Sequence, residues 1–402
     1  MFSLDQFISS YVTKRSQSMF APDIEVSRER LSQKISGKTV LVIGGAGSIG
    51  SSFIKAILPF SPASLVVVDT NENALAELTR DLRSTRGMFV PSDYLPYPMD
   101  FASPVFEKMF RKRGGFDIVG NFSAHKHVRS EKDIYSIEAL LQNNILHARH
   151  LLDLLAEYPP EEYFCVSTDK AANPVNIMGA SKRIMEDVIF SYSDRFPVKT
   201  ARFANVAFSN GSLPAGFLAR IRKLQPLSAP SDVRRYFVSP EESGQICLLA
   251  CMLGNNREIF FPKLAEAQMM TFDGIARELL SSNGYEVLEC SSDQEAIEKA
   301  EALKKGSKLY PVHFSASDTS GEKAFEEFVT DTETADMDRY LSLGVITGKK
   351  VPDKRKIDTL FRKLNAAFDR ETATKEEIVE VLKEYLPNFE HIETGKSLDS
   401  KM

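Results

Sequence analysis

The sequence predicts an α/β protein built on a doubly wound parallel sheet, on three observations. Between Lys38 and Val206, short apolar runs alternate with longer segments of helical period. That alternation is the pattern of parallel strands joined by crossover helices. The first apolar run, KTVLVIGG, flows into a glycine-rich turn, Gly44-Gly45-Ala46-Gly47-Ser48-Ile49-Gly50, which opens a helix. The second, SLVVVDT, ends on a carboxylate, Asp69. At 402 residues the chain exceeds one average domain, so one large or two modest domains are expected.

Ser3 to about Lys14 reads as a short amphipathic helix. Leu4, Phe7, Ile8 and Tyr11 fall on one face, and Ser3 with Gln6 matches a capping box. The apolar stripe needs a cover, either the chain's own surface or a partner subunit. Residues 1–35 are set apart as an N-terminal helical arm. After the first strand, SIGSSFIKAILPF is a helix ending near Pro59, and after the second, NENALAELTRDLRS is another. FDIVGNFSA is a later strand, and IEALLQNNILHARHLLDLLAEY is a long helix stopped by Pro159 and Pro160. EYFCVST is a strand, NIMGASKRIMEDVIFSYSDRF a helical segment and VKTARFANV a strand again. Residues 36–210 thus form the sheet domain. Beyond it the pattern loosens, with loops around Pro214, Pro226, Pro230 and Pro240. Residues 211–402 are expected to hold a smaller α+β region over the ends of the sheet and a helical C-terminal extension. Ser291–Lys349 reads as charged and helical, then loop-like. Thr374 and Glu377 open a final helix with Ile378, Val379, Leu382 and Tyr385 on its apolar face, and Pro387 ends it.

Composition narrows the function. A net charge of −5 weighs against a nucleic-acid surface. Cys165, Cys247, Cys251 and Cys290 form neither a metal-site nor a disulfide pattern. Cys247 and Cys251, one helical turn apart in ICLLACML, read as buried thiols, which fits a reducing cytoplasm. The N-terminus has no basic stretch ahead of its apolar residues, as a secretory signal would. No run approaches the ~18 apolar residues that span a bilayer.

The glycines at 44, 47 and 50 give G-x-x-G-x-x-G between a strand and a helix, the context of a Rossmann-type dinucleotide site. Gly44 allows the tight turn, Gly47 the close approach of a pyrophosphate and Gly50 the packing of helix on strand. Ser48 and Ile49 begin the helix, whose free N–H groups and positive dipole end favour phosphate. Asp69 is placed for the adenosine ribose hydroxyls. Its charge repels a 2′-phosphate, so NAD is favoured and NADP stays open. Asp100, in YPMDFAS, and Phe101 after it are candidates for the adenine region. For Asp100 a loop carboxylate capping a helix is the alternative.

The motifs GGAGSIG, NFSAHKHV, NNIL, VSTDKAANPVNIMGASKR, ARFANVAFSNGS and RRYFVSPEE occur in this order over about residues 36–290. Together they resemble the polysaccharide-biosynthesis branch of extended short-chain dehydrogenases/reductases, the UDP-N-acetylglucosamine 4,6-dehydratases and their relatives. The resemblance implies a role for each residue of the trio at the end of EYFCV. Thr168 would hydrogen-bond the sugar C4 oxygen, Asp169 would help the C6 hydroxyl leave as water, and Lys170 would take the C5 proton. Lys182 would bind the nicotinamide ribose. Met178 stands where such enzymes usually carry the Tyr of Tyr-x-x-x-Lys, as in some members of the branch, and is assigned to the substrate site. A thioether moves no proton, so the base for C4 oxidation is left open. A lysine at its ordinary pKa of about 10.4 is a poor base. Partial burial beside Lys182 is expected to lower Lys170 toward the ~7–8 useful for proton abstraction, against the opposing charge of Asp169.

The same resemblance assigns Lys126, Asn205, Gly211, Ser212 and Arg235 to the substrate, with the Arg235 guanidinium suited to a diphosphate. Arg234 is expected to be solvated, and His127 to pack or hydrogen-bond to backbone. Asn144 would support the active-site architecture. No metal is implied. A homo-oligomer is expected, by family analogy and from the apolar arm. The leading reading is a nicotinamide-dependent UDP-HexNAc 4,6-dehydratase serving surface glycans. The alternatives are a UDP-sugar epimerase using the same 4-keto chemistry and a catalytically silent nucleotide-binding protein.

Overall fold

The computed structural model describes residues 2–127, 131–317 and 325–393, together with Gly321 and Lys323. Nine strands form the main sheet: β1 (Thr39–Ile43), β2 (Ser64–Asp69), β3 (Asp93–Pro98), β4 (Ile118–Asn121), β5 (Glu162–Val166), β6 (Val198–Ala201), β7 (Glu258–Pro262), β8 (Thr334–Asp336) and β9 (Leu343–Thr347). Their order is β8-β9-β7-β6-β5-β4-β1-β2-β3. Strands β1 to β7 run parallel, and β9 and β8 close one edge antiparallel. This is the doubly wound order, which reverses direction between β1 and β4 and opens a crevice at the carboxyl ends of those strands.

Alternate residues of each strand enter opposite cores, as the two-residue period of a strand dictates. Leu41, Ile43, Val66, Val68, Val119 and Cys165 face one side. Val40, Val42, Leu65, Val67, Ile118 and Phe164 face the other. The first side is covered by residues of the helices Ile134–Leu141, His147–Glu157 and Ile177–Phe190, and by the two C-terminal helices Lys354–Phe368 and Lys375–Tyr385. The second is covered by Ala21–Ile35, Ser48–Ile57, Glu72–Ser84 and Pro240–Leu253.

Several elements depart from the pattern reading. Strand β3, DYLPYP, carries no apolar run that marks it; its prolines lack N–H donors, and it lies at the sheet edge where that loss is tolerated. The helix Pro104–Arg113 is likewise an addition, and the helical arm contains a second, longer helix, Ala21–Ile35. The long helix after β4 is interrupted by a π-helical turn, Gln142–Leu146. Chain beyond residue 210 returns to the main sheet as β7, β8 and β9. Part of the remainder builds a separate three-stranded parallel sheet from Leu227–Pro230, Glu286–Cys290 and Leu309–Ser315.

The arm packs on its own chain. Phe7, Ile8 and Val12 join Phe217, Leu227, Phe237, Leu279 and Tyr310 in one apolar cluster. Tyr11, expected in the stripe, is exposed, and Val12 is buried in its place. The reason is local: Leu4–Phe7 is α-helical, but Ile8–Val12 is a π-turn, closed by Thr13 N–H donating to Ile8 O at 2.9 Å. The wider turn carries the buried face one residue further along the chain. The final helix begins and ends as expected, capped by Thr374 and burying Ile378, Val379 and Leu382. All four cysteines are buried and free. Among the described residues, no helix is long and apolar enough to cross a membrane, and no group of three acidic, histidine or cysteine side chains is gathered as for a metal.

Candidate active site

Gly44–Gly50, Lys126 and Thr168–Lys170 follow the carboxyl ends of β1, β4 and β5, Asp69 ends β2, and Met178 and Lys182 lie on the helix Ile177–Phe190. After β1, Gly44 adopts φ +71°, and a Cβ there would lie 2.6 Å from Ser123 N. A Cβ on Gly50 would lie 2.4 Å from Gly44 O. Both glycines are therefore needed for the turn to close. Gly47 caps the Ser48–Ile57 helix, and a Cβ there would approach only Gly44 O, at 3.3 Å. The helix thus presents its first N–H groups beside a backbone bare of side chain, a cradle of the right kind for a pyrophosphate. Asp69 ends β2 half-buried and accepts hydrogen bonds from Ala46 N–H and Asn71 N–H, both at 3.0 Å. It ties the glycine turn to the second strand. Ile49 packs into the core, and Ser48 Oγ accepts from Asn210 N–H at 2.9 Å.

The adenine candidates separate. Asp100 is exposed and accepts from Ala102 N–H at 2.8 Å, so it serves a turn. Phe101 is buried, edge-on to His147. Its ring is core, because the turn directs it inward beneath the strand ends.

Thr168, Asp169 and Lys170 follow β5 as a 3₁₀ turn capped by the Thr168 side chain. Thr168 Oγ1 donates to Asp169 Oδ1 at 2.8 Å, and Lys170 N–H donates to the same oxygen at 2.9 Å. Lys170 Nζ lies 3.3 Å from Asp169 Oδ1 and 3.4 Å from Glu326 Oε1. Burial by itself lowers the Lys170 pKa, but the Asp169 and Glu326 carboxylates outweigh it and hold the ammonium above its ordinary value. The expected fall toward neutrality is therefore corrected: the shift runs upward, and the charged ammonium is the favoured form in this arrangement. The Asp169 charge is the larger raising influence, and the Glu326 carboxylate, from a distant part of the chain, adds to it. Lys182, on the Ile177–Phe190 helix, is buried and donates to Val166 O at 3.1 Å. Its pKa is lowered by burial, partly offset by Cys165 and Glu186.

Met178 is buried in the apolar core, one turn ahead of Lys182. Its N–H donates to Glu131 Oε1 at 2.9 Å. Asn144, exposed inward by the π-turn, binds His125 N–H and O at 2.9 and 3.0 Å and Ser181 Oγ at 3.0 Å. It thereby fixes the loop after β4 to the helix that carries Lys182.

The substrate candidates fall into two groups. Lys126 Nζ donates to Asn210 O at 2.9 Å, and the His127 ring lies where a Cβ on Gly211 would reach, 2.9 Å from Nε2. Gly211 has φ +75°, and Ser212 caps the Leu213–Lys223 helix. Lys126, Gly211 and Ser212 therefore sit together. Asn205 is half-buried, its N–H bonded to Tyr236 O at 3.0 Å. Arg235, in contrast, is turned inward. It is 4% exposed, its Nη1 donates to Arg234 O and Lys323 O at 2.9 Å each, and its Nη2 lies 4.0 Å from Glu326 Oε1. Arg234 is the exposed member of the pair and bridges Glu266. Glu326 and Glu131 had no signal in the sequence: each is one acidic residue among many until the fold brings it to its partner. A pocket of about 330 Å³ between the two C-terminal helices is lined by none of these residues.

Residues 40–341 match the family described as "Polysaccharide biosynthesis protein". A Methanocaldococcus jannaschii protein named an uncharacterized membrane protein is 28% identical over 86% of this chain and 96% of its own length. The probable polysaccharide biosynthesis protein EpsC of Bacillus subtilis is 27% identical over 75% of the chain, which spans about half (49%) of that relative. An inverting UDP-N-acetylglucosamine 4,6-dehydratase of Campylobacter jejuni is 24% identical over 79% of the chain and 91% of its own length. Among solved structures, Pen from Bacillus thuringiensis superimposes with a TM-score of 0.63 at 18% identity, covering 82% of this chain and 98% of that one. The dTDP-glucose 4,6-dehydratase DesIV of Streptomyces venezuelae, solved with NAD bound, does so at 0.54 and 19% identity, covering 72% and 88%. These likenesses establish the Rossmann-type fold.

Proposed function

Because the chain belongs to the polysaccharide biosynthesis protein family, we propose that it is a nicotinamide-dependent UDP-N-acetylglucosamine 4,6-dehydratase, producing a 4-keto-6-deoxy sugar nucleotide for surface glycans. The observation that carries this reading is the Thr168–Asp169–Lys170 turn at the end of β5, with an acid and a base side by side and the Met178 side chain withdrawn into the core. The glycine cradle and Asp69 support NAD as the cofactor, held also by Lys182. Bound there, the dinucleotide supplies a hydride acceptor for C4 and a hydride donor for C6.

The chain's own residues account for the protons. Thr168 donates to Asp169, so a proton leaving the C4 hydroxyl has a path through Thr168 onto the Asp169 carboxylate. No tyrosine is needed for that step. Asp169, now a carboxylic acid, is the donor to the departing C6 hydroxyl. Lys170, once its ammonium has given up a proton, is the base for the C5 proton, which the C4 ketone has made acidic. Lys126, Gly211 and Ser212 are assigned to the diphosphate, at a capped helix start suited to anions. Epimerisation at C4 expels no water and gives an acid beside the base no task.

The test is proton NMR of the purified protein with UDP-N-acetylglucosamine in D₂O. A new C6 methyl signal with deuterium at C5 is expected, and Lys170→Ala should abolish both. New ring signals without a methyl would replace this reading with an epimerase. Bound NAD with no change in the sugar would replace it with a nucleotide-binding protein or another substrate.

A further inference from the structure

Residues 325–333 reach the β5 turn from far downstream and bring a carboxylate with them. The Glu326 side chain is 4% exposed and ion-paired to Lys170. The charged groups facing it are Lys170, Asp169, Arg235 and Lys323. The segment is held by bonds that do not involve Glu326. Arg202 Nη1 donates to Phe328 O at 2.8 Å and Asn173 Nδ2 to Glu327 at 3.0 Å, and just ahead of the segment Arg235 Nη1 donates to Lys323 O at 2.9 Å. A buried carboxylate is costly unless paired, and here the pairing partner is the proposed base.

We propose, resting on the dehydratase reading, that Glu326 is a positioning residue that accepts the Lys170 ammonium proton and so frees the Lys170 lone pair for C5. Without a tyrosine, two protons must be held during turnover: the one from the C4 hydroxyl and the one Lys170 already carries. Asp169 takes the first through Thr168. For the second, an N–H bond of Lys170 breaks and an O–H bond forms on Glu326. The C5–H bond then breaks toward neutral Lys170, which keeps that proton. The Asp169 O–H bond breaks as the C6 oxygen takes its proton and leaves as water. Lys170 afterwards returns a proton to C5, and Glu326 returns its proton to Lys170. All three side chains end as they began, and the C4 hydroxyl proton departs in the water. Burial, with the Asp169 charge, raises the Glu326 pKa against the pull of Lys170 and Arg235, which suits a carboxylate that must hold a proton.

The experiment compares the NAD-loaded wild type with Glu326→Gln and Glu326→Asp across pH, using UDP-N-acetylglucosamine. Glu326→Gln is expected to lose roughly tenfold to a hundredfold in kcat near neutrality with KM little changed. Its rate should climb with pH, because Lys170 then loses its proton only to solvent. Glu326→Asp should recover much of the loss. A Glu326→Gln enzyme with wild-type kcat and pH profile overturns the proposal. A second readout needs no turnover: the ¹³Cε resonance of Lys170 in lysine-labelled protein, assigned with Lys170→Arg. Wild type should show a lower-pH step that Glu326→Gln lacks, and the upper step should move down in the variant. A Lys170 titration unaltered in Glu326→Gln overturns the proposal even if the wild type forms no methyl product. An altered titration with no methyl product supports the Lys170–Glu326 pairing and removes the dehydratase reading.

Discussion

At Gly50 a single missing methyl group decides whether the glycine turn closes. A Cβ there would meet backbone on two sides, Gly44 O at 2.4 Å and Gly45 Cα at 2.8 Å, and neither can swing away as a side chain could. Gly50→Ala is expected to cost about 1–3 kcal/mol of stability through forced backbone shifts and to weaken NAD binding by tenfold or more, about 1.4 kcal/mol. Gly47→Ala, whose Cβ would approach Gly44 O at 3.3 Å, should melt close to wild type. Thermal melts with and without NAD separate the two. If Gly50→Ala bound NAD like the wild type, the turn would not be the cofactor cradle. At the same scale Lys170 shows how neighbours override identity: its protonation is set by the carboxylates it meets, not by its being a buried lysine.

At the scale of elements, Arg202 joins three pieces of chain. Its guanidinium follows β6, is fully buried, and is bidentate to Glu186 of the Ile177–Phe190 helix and to Glu333 just before β8. Lys349 pairs with Glu333 from beyond β9. Arg202→Met would leave two buried carboxylates without their main partner, and a loss of about 3–5 kcal/mol is expected in urea unfolding. The same network makes the fold acid-sensitive. Burial alone would raise the Glu333 pKa, but hydrogen bonds and charge from Arg202 and Lys349 bring it to about 2, below the ordinary 4.5. A depressed carboxylate contributes its stability in full above the unfolded value and loses it as pH falls through the folded one. The midpoint of unfolding should therefore drop between about pH 4.5 and pH 2, and Glu333→Gln, already weaker at neutrality, should drop less over that window. Parallel curves for the two proteins would show that Glu333 is not the group responsible.

Across the whole molecule, the two ends of the chain complete the two faces of the sheet. Phe20, Leu31 and Ile35 close one face, and Leu360, Leu364, Ile378 and Leu382 close the other beside the helix that carries Lys182. The C-terminal extension is therefore part of the core. Leu364 is fully buried, and Leu364→Ala should cost about 2–5 kcal/mol. Full stability in that variant, measured by chemical unfolding, would mean that the extension is not a structural part of the fold.

The sequence by itself determined the features that are local. A strand running into a glycine turn, an acidic residue ending the next strand and Thr168-Asp169-Lys170 ending another are each fixed by a dozen consecutive residues, because period and turn chemistry act over that range. The parallel sheet, the glycine turn and the place of the Thr168–Asp169–Lys170 trio were legible for that reason. The tertiary structure decided what depends on residues distant in the chain. The π-turn that buries Val12 in place of Tyr11, the burial of Met178 and Phe101 and the inward turn of Arg235 are set by packing partners that no local period announces. The protonation of Lys170 belongs with them. Charge interactions act through space: the pull of Asp169 on that lysine is local in sequence, but the added pull of Glu326 exists only once the fold has brought it to its side.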